Sequence, residues 1–381
     1  MDLVIAKKDL LRLVGRCQGV ADKKSAMPVL ANVLMLAEGD ALRVAATDLY
    51  LAVSGQAQAE VMRSGSIAVP AKDLFERIKA MPDGPIQVTS KDGAQVILKA
   101  VGSPRRYTLH GMPGSEFPVL PKPAIDAPSL ALPVDLLALL IARTHFSISP
   151  DETRAHVNSA LFEWSGDRVR MVTTDGHRLS KMEATVEGSS ATATMLIPMK
   201  AISELRRLAD EARSDKEADP AAVKMVTISQ SGPNAFFSIA GMQFSVKLVD
   251  AQFPPYQQVI PTITDRSIQA PRAAFADALR AVSLAASDRT GGVKLSTAEG
   301  TLRITSESPE SGNGFDEVSV DYTGAEVTIG FNAKYFLDVL AVIDDDEIIL
   351  GFSGELDPAI VRPVKELDYQ SYVAVVMPMR I

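Results

Sequence analysis

Two hydrophobic rhythms take turns along this chain. In LVIAKKDLLRLVGRCQGV (3–20), the apolar residues Leu10, Leu13, Val14 and Cys17 fall on one side of a helix, while Lys7, Lys8, Arg12 and Arg16 mostly avoid it. The next stretches, VLANVLMLAEG (29–39) and ALRVAATDLYLAVSG (41–55), alternate instead, and the Glu38-Gly39-Asp40 turn between them predicts an antiparallel pair. A second helix enters at Pro70, and PIQVTSKDGAQVILKAV (85–101) closes the unit as two strands about an Asp92-Gly93 turn. PVDLLALLIARTHFSIS (133–149) and PRAAFADALRAVSLAAS (271–287) repeat the opening helix, each starting with a proline where helices tolerate one. The predicted unit is α+β, with two helices on one face of an antiparallel sheet.

This unit occurs three times. LRVAATDLYLAVS (42–54), RVRMVTTDGHRLSKM (168–182) and LRITSE (302–307) each carry an alternating strand into a hydroxyl residue followed by an acid: Thr47-Asp48, Thr174-Asp175 and Ser306-Glu307. A second shared block, IAVPAKDLFERI (67–78), LIPMKAISEL (196–205) and IGFNAKYFLDVL (329–340), opens a helix through Pro70, Pro198 or Asn332. A third block, YTLHGMP (107–113), FSVKLVD (244–250) and YVAVVMP (372–378), ends 43, 52 and 46 residues after those openings. Constant order at near-constant spacing means one fold used three times, an architectural object before a catalyst. Each repeat has about 125 residues, a comfortable domain size.

Proline punctuates the joints. FPVLPKPAIDAPS (117–129) and FPPYQQVIPTITD (253–265) predict stiff extended straps that hold the domains at a set curvature. DEARSDKEADPAA (210–222) is peculiar to repeat two and predicts a solvated loop. No apolar run approaches the roughly 20 residues that span a bilayer. MDLVIAKKDLLRLV has its acid and lysines in the wrong order for a signal peptide. Cys17 stands alone, which excludes a disulfide framework and a thiolate metal cluster and points to a reduced, cytoplasmic location.

A net charge of −8 looks wrong for a nucleic-acid binder until its distribution is read. The helical segments 7–18, 71–81, 133–147, 198–208, 271–284 and 332–343 hold 14 of the 39 basic and 7 of the 47 acidic residues, a net of +7, while the remainder carries −15. Exposed helix faces collect lysine as a matter of course. A uniformly neutral or positive set of helices in so acidic a chain reads better as one shared basic surface.

TDGHRL (174–179) invites a hydrolase reading, with Asp175 orienting His177 as a general base. Three observations oppose it. No nucleophile elbow, Walker loop or HExxH accompanies it. Thr47-Asp48-Leu49-Tyr50 keeps the Thr-Asp pair without the histidine, which makes the pair a turn device whose Asp accepts from backbone N–H groups. His110, His145, His156 and His177 fall on different elements without metal-ligand spacing. A binding role fits better, because Gly176 permits a tight turn presenting His177, Arg178 and Leu179 at the end of a strand.

Thr174 to Leu179, the FPxYxxVIP strap (253–261) and the terminal VVMPMRI (375–381) resemble the bacterial DNA polymerase III beta subunits, the sliding clamps, and the resemblance covers the whole chain from MPVLANVL (27–34) onward. It implies the DNA-clamp fold: three α+β domains, 1–121, 129–255 and 262–381, each with two helices packed on antiparallel sheet, and two chains closed head to tail as a homodimeric ring. Helices would line the hole and sheet would cover the outside. Double-stranded DNA would pass through without sequence preference, while DNA polymerase III alpha, other polymerases and the clamp loader would bind one face. Catalysis, cofactor, metal and membrane play no part in such a device, and a scaffold that uses the same pocket without encircling DNA is the alternative. A ring held by topology needs only a weak positive lining, since tight phosphate pairing would act as a brake. The resemblance implies Lys24, Lys72, Arg154 and Lys200 as DNA-facing residues.

It also implies an apolar groove for a short motif with glutamine and leucine or phenylalanine anchors. The turn would supply Thr174, Gly176, His177, Arg178 and Leu179, with Val157 beside it. From the strap come Pro254, Gln258 and Val259. The tail would add Val375, Val376, Met377, Pro378, Met379 and Arg380, next to Pro358. Methionine's flexible thioether suits several partners. The tail reads equally as an ordinary buried terminal strand, and both hold if one face packs inward and its end forms a wall. Three positions depart from the family pattern: Gln257-Gln258 where basic residues are frequent, His156-Val157 in place of an aromatic and a leucine, and Ile381 in place of leucine. Ring closure implicates Arg105, Arg106, Tyr107 and Leu109, facing Leu284, Ala285 and the acids Glu307, Glu310, Asp316 and Glu317 of a second chain.

Overall fold

The computed structural model describes residues 1–381 except 23, 92–94, 188–191, 215–221, 288–290, 366–368 and 381. The Asp92-Gly93 turn, Ile381 and part of the 210–222 segment therefore lie outside the described residues. The chain divides into two compact units, 1–137 with 203–248, and 138–202 with 249–381.

In the first unit a nine-stranded antiparallel sheet begins with repeat-one strands: Met112–Pro113, Gly65–Pro70, Asn32–Glu38, Ala41–Thr47 and Leu51–Gln58. It continues without a break into Met242–Lys247, Asn234–Ile239, Met225–Ser231 and Ser129–Pro133 of repeat two. The join is a ladder running from Leu51↔Val246 to Gly55↔Met242. A side chain at Gly55 would collide with the sulfur of Met242 and press on Leu13, so the residue is glycine where strand, strand and helix meet most closely. A five-stranded sheet runs Glu60–Arg63, Asp2–Ala6, Pro85–Lys91, Gln95–Ala100 and Arg106–His110, the last an edge.

The second unit repeats the device. Thr192–Pro198, Ser159–Ser165, Arg168–Thr174 and Arg178–Thr185 of repeat two continue into Gln370–Val376, Ala359–Pro363, Glu347–Phe352 and Arg266–Pro271 of repeat three. The join is Arg178↔Val376 to Ala184↔Gln370. A four-stranded sheet, Gly312–Ser319, Thr301–Ser308, Gly292–Ala298 and Val327–Asn332, completes the unit with Gly312–Ser319 at its edge. Repeat two is thus shared between two sheets, an arrangement that local periodicity does not reveal.

Six α-helices lie among the described residues: α1 (Lys7–Gln18), α2 (Ala71–Lys79), α3 (Val134–Thr144), α4 (Met199–Ser214), α5 (Arg272–Ser283) and α6 (Ala333–Leu340). Leu10, Leu13, Val14 and Cys17 of α1 are buried as the periodicity predicts. Burial pushes the Cys17 thiol up to about 12, against the pull of Arg207 and Arg16. Pro70 and Pro271 stand at the N-caps of α2 and α5, while at α6 the Asn332 side chain accepts from the Lys334 N–H at 2.9 Å. Phe336 packs edge-on against Phe275 and Phe331, at 5.8 and 5.1 Å between ring centroids.

Two sequence expectations need correction. Residues 210–214 continue α4, because Ala209 and Ala212 extend the buried stripe of Leu205 and Leu208. Arg16, assigned to the polar side of α1, is buried. Its guanidinium donates to Glu211 of α4 at 2.7 Å and to the Ala240 carbonyl at 3.2 Å. Part of the helical positive charge is therefore spent inside the first unit.

Candidate functional site

The TDGHRL turn builds itself from its own side chains. Thr174 donates to the Arg178 carbonyl at 2.6 Å and accepts from the Gly176 N–H at 3.1 Å. Asp175 Oδ1 accepts from the His177 and Arg178 N–H groups at 2.9 and 3.0 Å. Repeat one makes the same turn: Thr47 with Leu51 and Leu49, and Asp48 with the Tyr50 and Leu51 N–H groups. The third residue has φ of +94° at Gly176 and +76° at Leu49, a conformation only glycine adopts without strain.

Arg178 locks this turn to repeat three. Its guanidinium donates to Asp175 at 3.0 Å, to Asp338 of α6 at 2.6 Å and to the Phe146 carbonyl, and it lies 4.6 Å from the Tyr335 ring centroid. Burial raises the Tyr335 hydroxyl above its ordinary range, helped by the Asp175 charge and opposed by Arg178. The Asp175 carboxylate is consumed by backbone and Arg178, so it does not orient the exposed His177 imidazole. The general-base arrangement that the hydrolase reading requires is not formed.

Beside the turn lies an apolar cavity of about 160 Å³. Leu179 and Val375, paired across the inter-repeat ladder, give its floor, and both belong to a buried cluster with Leu161, Val172, Phe253 and Ile360. Val157, Thr174, Gly176 and Arg178 line one side, Pro254 and Val259 of the strap another, and Met377 the tail side. The tail is held by the Met377 N–H donating to the His177 carbonyl at 2.9 Å and the Met379 N–H donating to Gly330 at 2.8 Å. His177, Gln258, Pro358, Val376, Pro378, Met379 and Arg380 fall outside the lining. His177, Gln258 and Arg380 are exposed near it, Pro358, Pro378 and Met379 are half-buried, and Val376 is buried in the sheet.

Two lining residues were not assigned to the pocket from sequence. Arg154, implied as DNA-facing, also lines the cavity, its guanidinium donating to the Asp175 carbonyl at 3.1 Å. It sits in an irregular segment, where no periodicity fixes its direction. Tyr256 forms a wall from within the quoted strap motif, which was the available signal. Its ring is buried beside Phe253, and its hydroxyl accepts from Arg170 at 3.1 Å and donates to Glu163 at 3.0 Å. Burial and Glu163 raise that hydroxyl above its ordinary range against the pull of Arg170, so it stays neutral. Burial opposes charge on neighbouring Glu183, but Lys181, Arg170 and Arg168 outweigh it and hold the carboxyl below its usual range.

Lys24, Lys72 and Lys200 are exposed, Lys24 in a loop, Lys72 on α2 and Lys200 on α4. Arg106, Tyr107 and Leu109 lie on the edge strand Arg106–His110, and Arg105, just before it, donates to the Ala80 carbonyl. Leu284 is 83% exposed, whereas Ala285 is buried close to Gly314. Asp316 and Glu317 lie on the edge strand Gly312–Ser319, Glu307 on the strand beside it and Glu310 in the turn between. Phe315, 65% exposed on that edge, was not singled out by the sequence. Among the described residues no three His, Cys, Asp or Glu side chains group as a metal site, and no helix is long and apolar enough to cross a membrane.

Residues 1–121, 131–255 and 257–380 match the N-terminal, central and C-terminal domains of the DNA polymerase III beta subunit family. The chain is 32% identical to the beta sliding clamp of Pseudomonas putida and 31% identical to that of Caulobacter vibrioides, each aligned over the full length of both chains. A crystal structure of the DNA polymerase III beta subunit from Pseudomonas aeruginosa superposes with a TM-score of 0.91 at 30% identity, covering both chains completely. A Pseudomonas aeruginosa sliding clamp bound to griselimycin matches equally well, with a TM-score of 0.91 at 29% identity. With its threefold α+β repeat and its turn, strap and tail gathered at one apolar cavity, this chain belongs to the DNA polymerase III beta subunit family, the beta sliding clamps.

Proposed function

We propose that this chain works as a DNA sliding clamp, a noncatalytic, ring-shaped homodimer that encircles duplex DNA and tethers polymerases through the cavity beside the TDGHRL turn. The observation that carries this reading is the full-length match to three consecutive clamp domains. The double helix is held by enclosure, so the lining needs only diffuse positive charge, to which the exposed Lys24, Lys72 and Lys200 contribute. Ring closure pairs the edge Arg106–His110 of one chain with the edge Gly312–Ser319 of the other. It sets Arg105 and Arg106 against Asp316 and Glu317 and covers the exposed Phe315 and Leu284.

The cavity beside Leu179, Val375 and Met377 has room for about one ring-sized apolar side chain, since a cavity of roughly 150 Å³ holds benzene. Its occupants are short motifs of DNA polymerase III alpha, other polymerases and the clamp loader, in the cytoplasm. Light scattering tests the assembly, with a mass of two chains expected. Loading onto nicked circular DNA tests encirclement: the protein is retained on the circle and lost when the circle is linearised. A monomer at micromolar concentration, or equal retention on both DNA forms, refutes it.

A further inference from the structure

We propose a second peptide-binding site in the first unit, beneath the strap that begins at Phe117, which takes an extended segment carrying large apolar side chains and a carboxylate. The argument starts from a position-by-position comparison of two sheet faces. In the second unit, Leu161 pairs with Val172, and Leu179 pairs with Val375, under the strap residues Phe253 and Tyr256. The Thr-Asp turns bring the first unit into register. Leu34 pairs with Ala45, Ala52 pairs with Ser245, and the strap residues Phe117 and Leu120 take the places of Phe253 and Tyr256. Valine has become Ala45, leucine has become Ala52, valine has become Ser245 and tyrosine has become Leu120. Three smaller side chains on the sheet face and one on the strap open a groove of about 690 Å³, against about 160 Å³ in the second unit. That volume lies within the roughly 300–1,000 Å³ typical of ligand sites.

The lining specifies the occupant. Leu34, Leu36 and Phe236 give an apolar floor that accepts large apolar side chains. Ser54 and Ser245 also line the groove. Both residues are more than nine-tenths buried, and among the described residues neither hydroxyl has a protein hydrogen-bond partner, which leaves both open to the groove. Among the described residues, the groove's charged lining is Arg43 on the sheet and Lys122 on the strap, both exposed and without an ion-pair partner, and no acid lines it. Apolar floor, idle hydroxyls and two uncompensated cations complement a peptide that alternates large apolar residues with carboxylates. The site lies wholly within the first unit, so it does not rest on the cavity beside the TDGHRL turn.

Calorimetry on the intact chain tests this with two probes, acetyl-Leu-Asp-Phe-Asp-Leu-amide and its counterpart with lysine at both aspartates. Ala52→Leu restores the side chain found at Leu179 and fills the groove. Arg43→Glu alters only an exposed charge, so it leaves folding intact. Binding of the aspartate peptide that Ala52→Leu abolishes at one site, and that Arg43→Glu weakens at that site at least tenfold while strengthening the lysine peptide, supports the proposal. This holds whether one or two peptides bind per chain. Binding unchanged by both substitutions overturns it, even if the second unit's cavity takes the peptide. So does equal affinity for both probes, or no binding at all.

Discussion

Replacing Arg178 with alanine removes the bolt between the TDGHRL turn and α6. The side chain is 9% exposed and engages Asp175, 12% exposed, and Asp338, 30% exposed, at 3.0 and 2.6 Å. Truncation removes the guanidinium donor from Asp338, from Oδ2 of Asp175 and from the Phe146 carbonyl, while Oδ1 of Asp175 keeps its two backbone N–H groups. Removing one partner of a buried ion pair costs about 3–5 kcal/mol. The partial exposure of Asp338 places this case at the low end, about 3 kcal/mol. That equals roughly two powers of ten in an opening equilibrium. Amide hydrogen exchange reads it locally: Arg178→Ala lowers protection across 178–185 and 370–376, with the first unit's strands unchanged. Arg178→Lys, which keeps the charge but loses the fork, recovers part of the protection. A loss below tenfold, or an equal loss in both units, would refute the reasoning.

Three further outcomes follow from the same geometry. Leu49→Gly relieves a positive φ at a half-exposed position, so the unfolding free energy rises by up to ~1 kcal/mol once glycine's entropy is deducted, and the urea midpoint moves up with it. Tyr256→Phe deletes the hydroxyl that bridges Arg170 and Glu163, costing about 1 kcal/mol and weakening peptide binding at the cavity, as fluorescence anisotropy would record. The Glu183 carboxyl is held below its usual range, so its contribution to stability is complete above the unfolded carboxylate value and vanishes as pH falls through the folded one. Glu183→Gln therefore flattens the acid side of the stability–pH curve and leaves its slope near neutrality unchanged.

The chain displays its repeats because the Thr-Asp turn is a local device: the side chains of Thr47, Asp48, Thr174 and Asp175 meet backbone within four residues. Helix faces were legible for the same reason, the burial of Leu10, Leu13 and Val14 following from spacing alone. The division of repeat two between two sheets was not legible. Pairing of Leu51 with Val246 is set by packing across almost two hundred residues, and no period records it. Arg16 looked solvated because its partner Glu211 lies in a segment whose composition suggests a loop. At the cavity, Leu179 and Met377 stood in motifs, whereas Arg154 sat in an irregular stretch that carries no directional signal.

The ladders that cross repeat boundaries make covalent continuity at the first strap dispensable. Leu51–Gln58 and Met242–Lys247 are held by main-chain pairing from Leu51↔Val246 to Gly55↔Met242, so a protease cut within 121–127 would leave a single particle. Pieces 1–121 and 129–381, produced together from separate genes, would find each other through that seam, which makes this joint a natural place to divide the protein for a split reporter.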